Sequence, residues 1–288
     1  MNFKISAAVL ALGAASASAQ GLFDIAPNDE ATESTTKLNY GVDFRVGYDD
    51  LINPGAAVEE ESAYLSTILS ANGVKIDSRT TAEFYVKYAA NYHFDKVANG
   101  DNFSNNFFGG FNYTNRINER FRFSSHNHVG YQLEPDYEYG LANTRSIEEY
   151  LSWNSNNVFS YGWNERFSSQ FGLALDGVNF DSQRSGSNRV GYAIFTQGRY
   201  QYSEKTVLTG GYRYRIMNNN GRPDSTSHII TVGAEHRVSD VAVLVARAGV
   251  QLHDVDQDGT DTSSPYAEFA YRAKLNERTS IRTFFRYS

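Results

Sequence analysis

Ser124-Ser125-His126-Asn127-His128 is the densest patch of side chains able to do chemistry. In an extended chain His126 and His128 point the same way, and imidazoles at i and i+2 can share one metal ion. The chain has no cysteine, and spacing places no third ligand beside them, so they read as polar histidines on an inner wall. Ser125, His126 and Asn127 suggest a hydrolase's nucleophile, base and orienting group. Consecutive strand residues face opposite sides of a sheet, however, so three neighbours cannot form a triad. Nothing else resembles a nucleophile with its base, and no enzyme is expected. Asp254, Asp256 and Asp258, with Gly259, match positions 1, 3, 5 and 6 of a calcium loop, but position 12, which should be Glu, is Pro265. The stretch falls in an expected surface loop, where Asp and Gly are ordinary turn residues. No cofactor is expected beyond a weak calcium site there.

The remaining candidate chemistry is spread along the chain as charge. Arg213 and Arg215 stand two apart in GGYRYRI (Gly210–Ile216), and the period of two that separates them runs through almost the whole sequence, as in strands. Leu38, Tyr40, Val42, Phe44, Val46 and Tyr48 alternate with Lys37, Asn39, Gly41, Asp43, Arg45 and Gly47. The same pattern predicts strands over 82–94, 121–133, 151–163, 167–175, 190–202, 206–216, 228–238, 242–252, 267–275 and 279–287. Weaker ones near 62–76 and 105–114 bring the number to about thirteen, with lengths reaching 12–17 residues. Short turns at 77–79, 115–120, 164–166, 203–205, 239–240 and 276–278 alternate with longer polar stretches at 49–61, 95–105, 134–147, 178–188, 217–226 and 253–265. This is the threading of bacterial outer-membrane barrels. The turns recur as near-copies: NERF at Asn118 and Asn164, SEKT at Ser203, NERT at Asn276.

Placement follows from the first residues. Met1-Asn2-Phe3-Lys4, an apolar run from Ile5 to Ala15 and Ala17-Ser18-Ala19 form a secretory signal peptide over 1–19. The apolar run is too short to span a bilayer as a helix. Residues 20–35 read as an acidic periplasmic linker and 36–288 as the barrel. The formal charge of −7, one more negative once Lys4 leaves, argues against a nucleic-acid partner. Aromatics make up 14% of the chain, with 20 Tyr and 19 Phe. Tyr161, Trp163, Tyr200 and Tyr202 gather before short turns, while Tyr48, Phe94, Tyr131 and Tyr192 mark the opposite strand ends. Two aromatic girdles around an aliphatic band suit lipid interfaces. The expected fold is therefore all-β, a transmembrane antiparallel up-and-down barrel in contact with outer-membrane lipid.

Giving the apolar parity to lipid turns the other parity to the lumen. Its bases are Lys37, Arg45, Lys87, Arg122, Arg189, Arg199, Arg213, Arg215, Arg237, Arg247, Arg272, Lys274, Arg282 and Arg286; its acids are Asp43, Glu83, Asp176, Glu235 and Glu268. Where that surplus of base faces water, it favours anions. Where Arg and acid pair across strands, they brace a plugged wall.

With its repeated strand–NER/SEK–strand hairpins and Tyr-rich strands such as GGYRYRI and RYQYSEKT, the chain resembles the outer-membrane β-barrel porin families, most of all the β-barrel porin 2 type. The resemblance covers nearly the whole mature chain and implies a porin-like barrel, with no site residues to carry over. Lack of a long acidic constriction loop sets the chain apart from the general trimeric porins. A passive channel for small polar solutes is the expected function. A plugged barrel whose loops bind a partner or polysaccharide, and an outer-membrane hydrolase, are its rivals. A thirteenth strand running away from the periplasm, with no terminal Phe or Trp, suggests that a closing strand lies downstream, giving fourteen or more strands in all.

Overall fold

The computed structural model describes residues 34–49, 61–95, 102–132, 149–180, 188–221, 223–255, 262–274 and 280–287. The signal peptide, and the linker up to residue 33, lie outside the described residues. Thirteen strands follow one another: β1 (Thr35–Asp49), β2 (Ser62–Ile76), β3 (Thr80–His93), β4 (Phe103–Arg116), β5 (Phe121–Gln132), β6 (Tyr150–Gly162), β7 (Phe167–Phe180), β8 (Arg189–Ser203), β9 (Thr206–Asn219), β10 (Ser225–Ser239), β11 (Ala242–Val255), β12 (Thr262–Lys274) and β13 (Ser280–Tyr287). Each is antiparallel to the next and neighbours pair in sequence order. No helix occurs among the described residues. The fold is the all-β, up-and-down arrangement expected from the alternation, with β1 and β13 as the two edges of the barrel wall.

Strand ends differ from the expectation. β1 to β12 run 12–15 residues and β13 runs 8, so none reaches 17. The long connection expected at 217–226 shrinks to 220–224, turned by Gly221 at φ 84°. The loop expected at 253–265 loses both ends to β11 and β12, and 178–188 gives up its start to β7. In each case the ladder continues for as long as the partner strand is present.

The short turns share one mechanism. Asn118 Oδ1 accepts the N–H groups of Arg120 and Phe121 at 2.9 and 2.8 Å, and Asn164 Oδ1 those of Arg166 and Phe167, both at 2.9 Å. The third turn residue then offers its carbonyl to a later strand: Arg79 O to Arg116 N, Arg120 O to Gly162 N, Arg166 O to Gln201 N and Lys205 O to Arg237 N. Each of these four turns thus stitches its hairpin to the next, while the turn at 276–278 lies outside the described residues. Asp77 Oδ1 does the same for Arg79 and Thr80 at 2.9 and 2.7 Å. These two backbone N–H donors hold its carboxyl below the usual carboxylate range. A depressed folded pKa contributes stability that is present above the unfolded value and lost as pH falls through the folded one. Protection from amide exchange at Arg79 and Thr80, relative to the intrinsic rate at each pH, should therefore fall in acid, and Asp77→Asn should abolish that pH dependence while leaving protection near neutral pH little changed.

The two faces invert the usual order of a globular protein. Arg199 and Glu235 are fully buried and Arg247 and Glu268 nearly so, whereas Val46, Phe44, Tyr40 and Val232 are 66–81% exposed. Register puts the buried charges on one face, termed polar here, and the exposed aromatic and aliphatic side chains on the other. Aromatic rings on both faces lie flat over glycines directly opposite: Tyr85 over Gly110, Phe195 over Gly172, Phe84 over Gly73 and Trp153 over Gly177. A Cβ at any of these glycines would enter the ring.

Candidate functional site

The polar face of β8 to β13 carries a transverse chain of alternating charge. Arg199 donates to both carboxylate oxygens of Glu235, at 2.9 and 2.5 Å, reaching over Thr209 of the intervening β9. Glu235 also accepts from Arg247 at 3.3 Å, and Arg247 donates to Glu268 at 2.6 Å. Glu268 in turn accepts from Tyr266 at 2.6 Å and from Arg286 on β13 at 3.4 Å. Bidentate and shared geometry of this kind offsets part of the cost of removing charges from water.

Two further arginines flank this chain. Arg215 donates to Asp176 at 2.8 Å, and the pair lies over Gly191, where a Cβ would meet both side chains. Arg213 sits with its guanidinium carbon 5.0 Å from the centre of the Phe195 ring. Its ionic and polar surroundings are Arg286, Tyr266, Arg215 and Glu268, and it has no ion-pair partner among the described residues. The cluster of Arg199, Arg213, Arg215, Arg247 and Arg286 against Asp176, Glu235 and Glu268 holds more base than acid.

The half built by β3 to β6 is different, with amides and imidazoles at its centre. Tyr85 Oη lies 2.6 Å from His128 Nδ1, and His126 Nδ1 lies 3.2 Å from Asn112 Oδ1. Asn156, opposite His126, is 8% exposed and its Oδ1 has no hydrogen-bond partner. Among the described residues no group of three His, Cys, Asp or Glu side chains could hold a metal. Ser125 and Asn127 lie on the apolar face, opposite to His126, so the three do not meet.

Of the other bases expected from sequence to line the lumen, Arg45, Lys87, Arg122, Arg189, Arg237, Arg272 and Arg282 share the polar face by register. Arg45 is exposed on edge strand β1 and Lys87 is exposed on β3. Arg122 faces Arg116, Arg189 faces Val178 and Asn219, Arg237 faces Val243, and Arg272 faces Arg282. Asp254 belongs to β11, opposite Thr226, and Pro265 to β12, opposite Val250, rather than to a loop. Asp256 and Asp258 lie outside the described residues. Two participants escaped the alternation: Arg116, because β4 was expected to stop at 114, and Tyr266, because β12 was expected to begin at 267. Continuing the parity of Asn112 by two steps and that of Glu268 by one finds both.

No family model matches the chain, so the resemblance to the β-barrel porin 2 type has no family match behind it, and no curated protein matches either. Solved structures with a similar course of chain include a bacterial polysaccharide outer membrane secretin, at 12% identity over 89% of this chain and 91% of that one, with a TM-score of 0.49. A deltaS2 mutant of the TodX monoaromatic hydrocarbon channel matches at 8% identity over 87% of this chain and 82% of that one, TM-score 0.42. The Pseudomonas putida toluene transporter TodX matches at 10% identity over 86% of this chain and 81% of that one, TM-score 0.39.

Proposed function

We propose that this chain is the wall of an outer-membrane channel, with its apolar face in lipid and its polar face lining a path for small polar solutes. The inversion of burial carries this reading: a soluble sheet would turn Arg199 and Glu235 outward and bury Val46, Phe44 and Val232. Aromatic pairs at the two strand ends, Tyr161 with Trp163 and Tyr92 with Phe94, support two interfacial girdles. The signal read at 1–19 supports export. Reconstituted into a planar bilayer, the folded protein should give discrete conductance steps; folded protein without current would end the channel reading.

Anion preference is the finer part of the proposal. Its support is the surplus of arginine in the β8–β13 cluster, above all Arg213, which has no ion-pair partner among the described residues. In a salt gradient the reversal potential should have the anion-selective sign, and Arg213→Gln should move it toward zero. A cation-selective sign would refute this part alone. Complete burial of Arg199 and Glu235 favours a second reading, a wall braced shut by its own ion pairs. Absence of conductance would favour that one.

A further inference from the structure

One patch of the apolar face breaks the pattern. Of the buried polar side chains, all but Ser125 lie on the polar face. Ser125 is one corner of a closed ring in the middle of the β5–β6 ladder. Ser125 Oγ donates to Asn157 Oδ1 at 2.8 Å, and Asn157 Nδ2 donates to Ser155 Oγ at 3.0 Å. Ser155 Oγ donates to Asn127 Oδ1 at 2.7 Å, and Asn127 Nδ2 returns to Ser125 Oγ at 2.9 Å. The ring is two copies of Ser-x-Asn, at 125–127 and 155–157, related by the local two-fold of the His126↔Asn156 pairing. Around it the face is apolar, with Phe111, Phe159, Leu173 and Leu175 exposed.

We infer that this patch is the contact surface for a second copy of the chain within the membrane, an inference that rests on the membrane placement proposed above. The ring satisfies each member once, so it can form in a lone chain, but it does not use up the amides. The second N–H of Asn127 reaches the Phe111 carbonyl at 3.4 Å, whereas that of Asn157 has no acceptor among the described residues. Lipid tails offer none. The serine and asparagine oxygens keep spare lone pairs, so each copy presents one unfilled donor and several unfilled acceptors. A two-fold mate supplies that set reciprocally, as an isologous interface requires. The arrangement of a polar centre inside an apolar rim also suits hydrocarbon. There covering the rim only exchanges lipid contacts for protein ones, and it is the centre that gains from being covered, the reverse of an interface formed in water.

The cysteine-free chain gives a direct test. Leu173→Cys and Phe111→Cys place single thiols beside the ring, and Val232→Cys places one on β10, away from it. After reconstitution into phosphatidylcholine vesicles and treatment with a bis-maleimide long enough to reach across the ring, the first two should give a cross-linked dimer and the third should not. Adding Asn127→Leu with Asn157→Leu should abolish the dimer while the folded, heat-modifiable band remains. Three results would overturn the inference: no dimer from either position beside the ring, a dimer that survives both leucines, or equal cross-linking from Val232→Cys. Failure of the unaltered chain to enter the vesicles overturns the membrane placement, and this interface with it; entry without dimer overturns the interface alone.

Discussion

Glu235→Gln is expected to destabilise the folded chain by about 3–5 kcal/mol, the usual range for breaking a buried ion pair from one side. Glu235 is the only acid shared by two arginines that are themselves buried, Arg199 and Arg247, among the described residues. The substitution keeps the shape but leaves the Arg199 guanidinium, fully removed from solvent, facing an uncharged amide. Arg247 is protected because Glu268 remains 2.6 Å away. A gel assay of heat modifiability, or urea unfolding followed by the fluorescence of Trp153 and Trp163, would read the loss. Changing both partners together, Arg199→Met with Glu235→Leu, should recover most of it, since apolar side chains of similar volume remove the desolvation cost with the charges. A Glu235→Gln change below about 0.5 kcal/mol, within the range of ordinary surface substitutions, would mean that water reaches the pair and that the ladder does not brace the wall.

Much of this arrangement was legible in the sequence because a strand has a side-chain period of two whatever surrounds it. The parity that puts Val232 on one face and Glu235 on the other needs no knowledge of neighbours. The ends were harder to see. Thr262-Ser263-Ser264-Pro265 has no apolar alternation, and Pro265 lacks an N–H, yet the partner strand β11 carries the ladder on to Thr262. The pairing within the charged cluster was also hidden. Arg199 finds Glu235 by reaching diagonally across a strand, which depends on the β8–β9–β10 register and on a small residue, Thr209, lying between them. Sequence supplied the excess of base; only the register shows that Arg213 packs on a phenyl ring and forms no ion pair among the described residues. The Ser-x-Asn repeat was visible as letters, but its closure into a ring follows from 125 facing 157 and 127 facing 155.

Val232→Arg separates membrane from water more sharply than any change on the polar face. Val232 lies at the centre of β10, is 66% exposed, and stands between Gly210 and Ala248 on the apolar face. It has little packing to lose. On a surface bathed in water, replacing it with arginine should fall within about ±0.5 kcal/mol. At the midplane of a bilayer the same change should cost roughly 2–4 kcal/mol, because the guanidinium must reach the headgroups or draw water into hydrocarbon. Val238, on the same strand at the register shift beside the turn at Asp240, is 53% exposed. There Val238→Arg should cost only about 0–1 kcal/mol, since the interface tolerates a cation. Both variants make the same chemical swap on exposed valines of one strand, so a difference of several kcal/mol reads depth rather than side-chain chemistry. Equilibrium folding into short-chain lipid vesicles, titrated with urea, measures both. A gradient that falls from 232 to 238 requires hydrocarbon at the centre of the strand, whereas equal and small costs would place this face in water and remove the basis for a membrane channel.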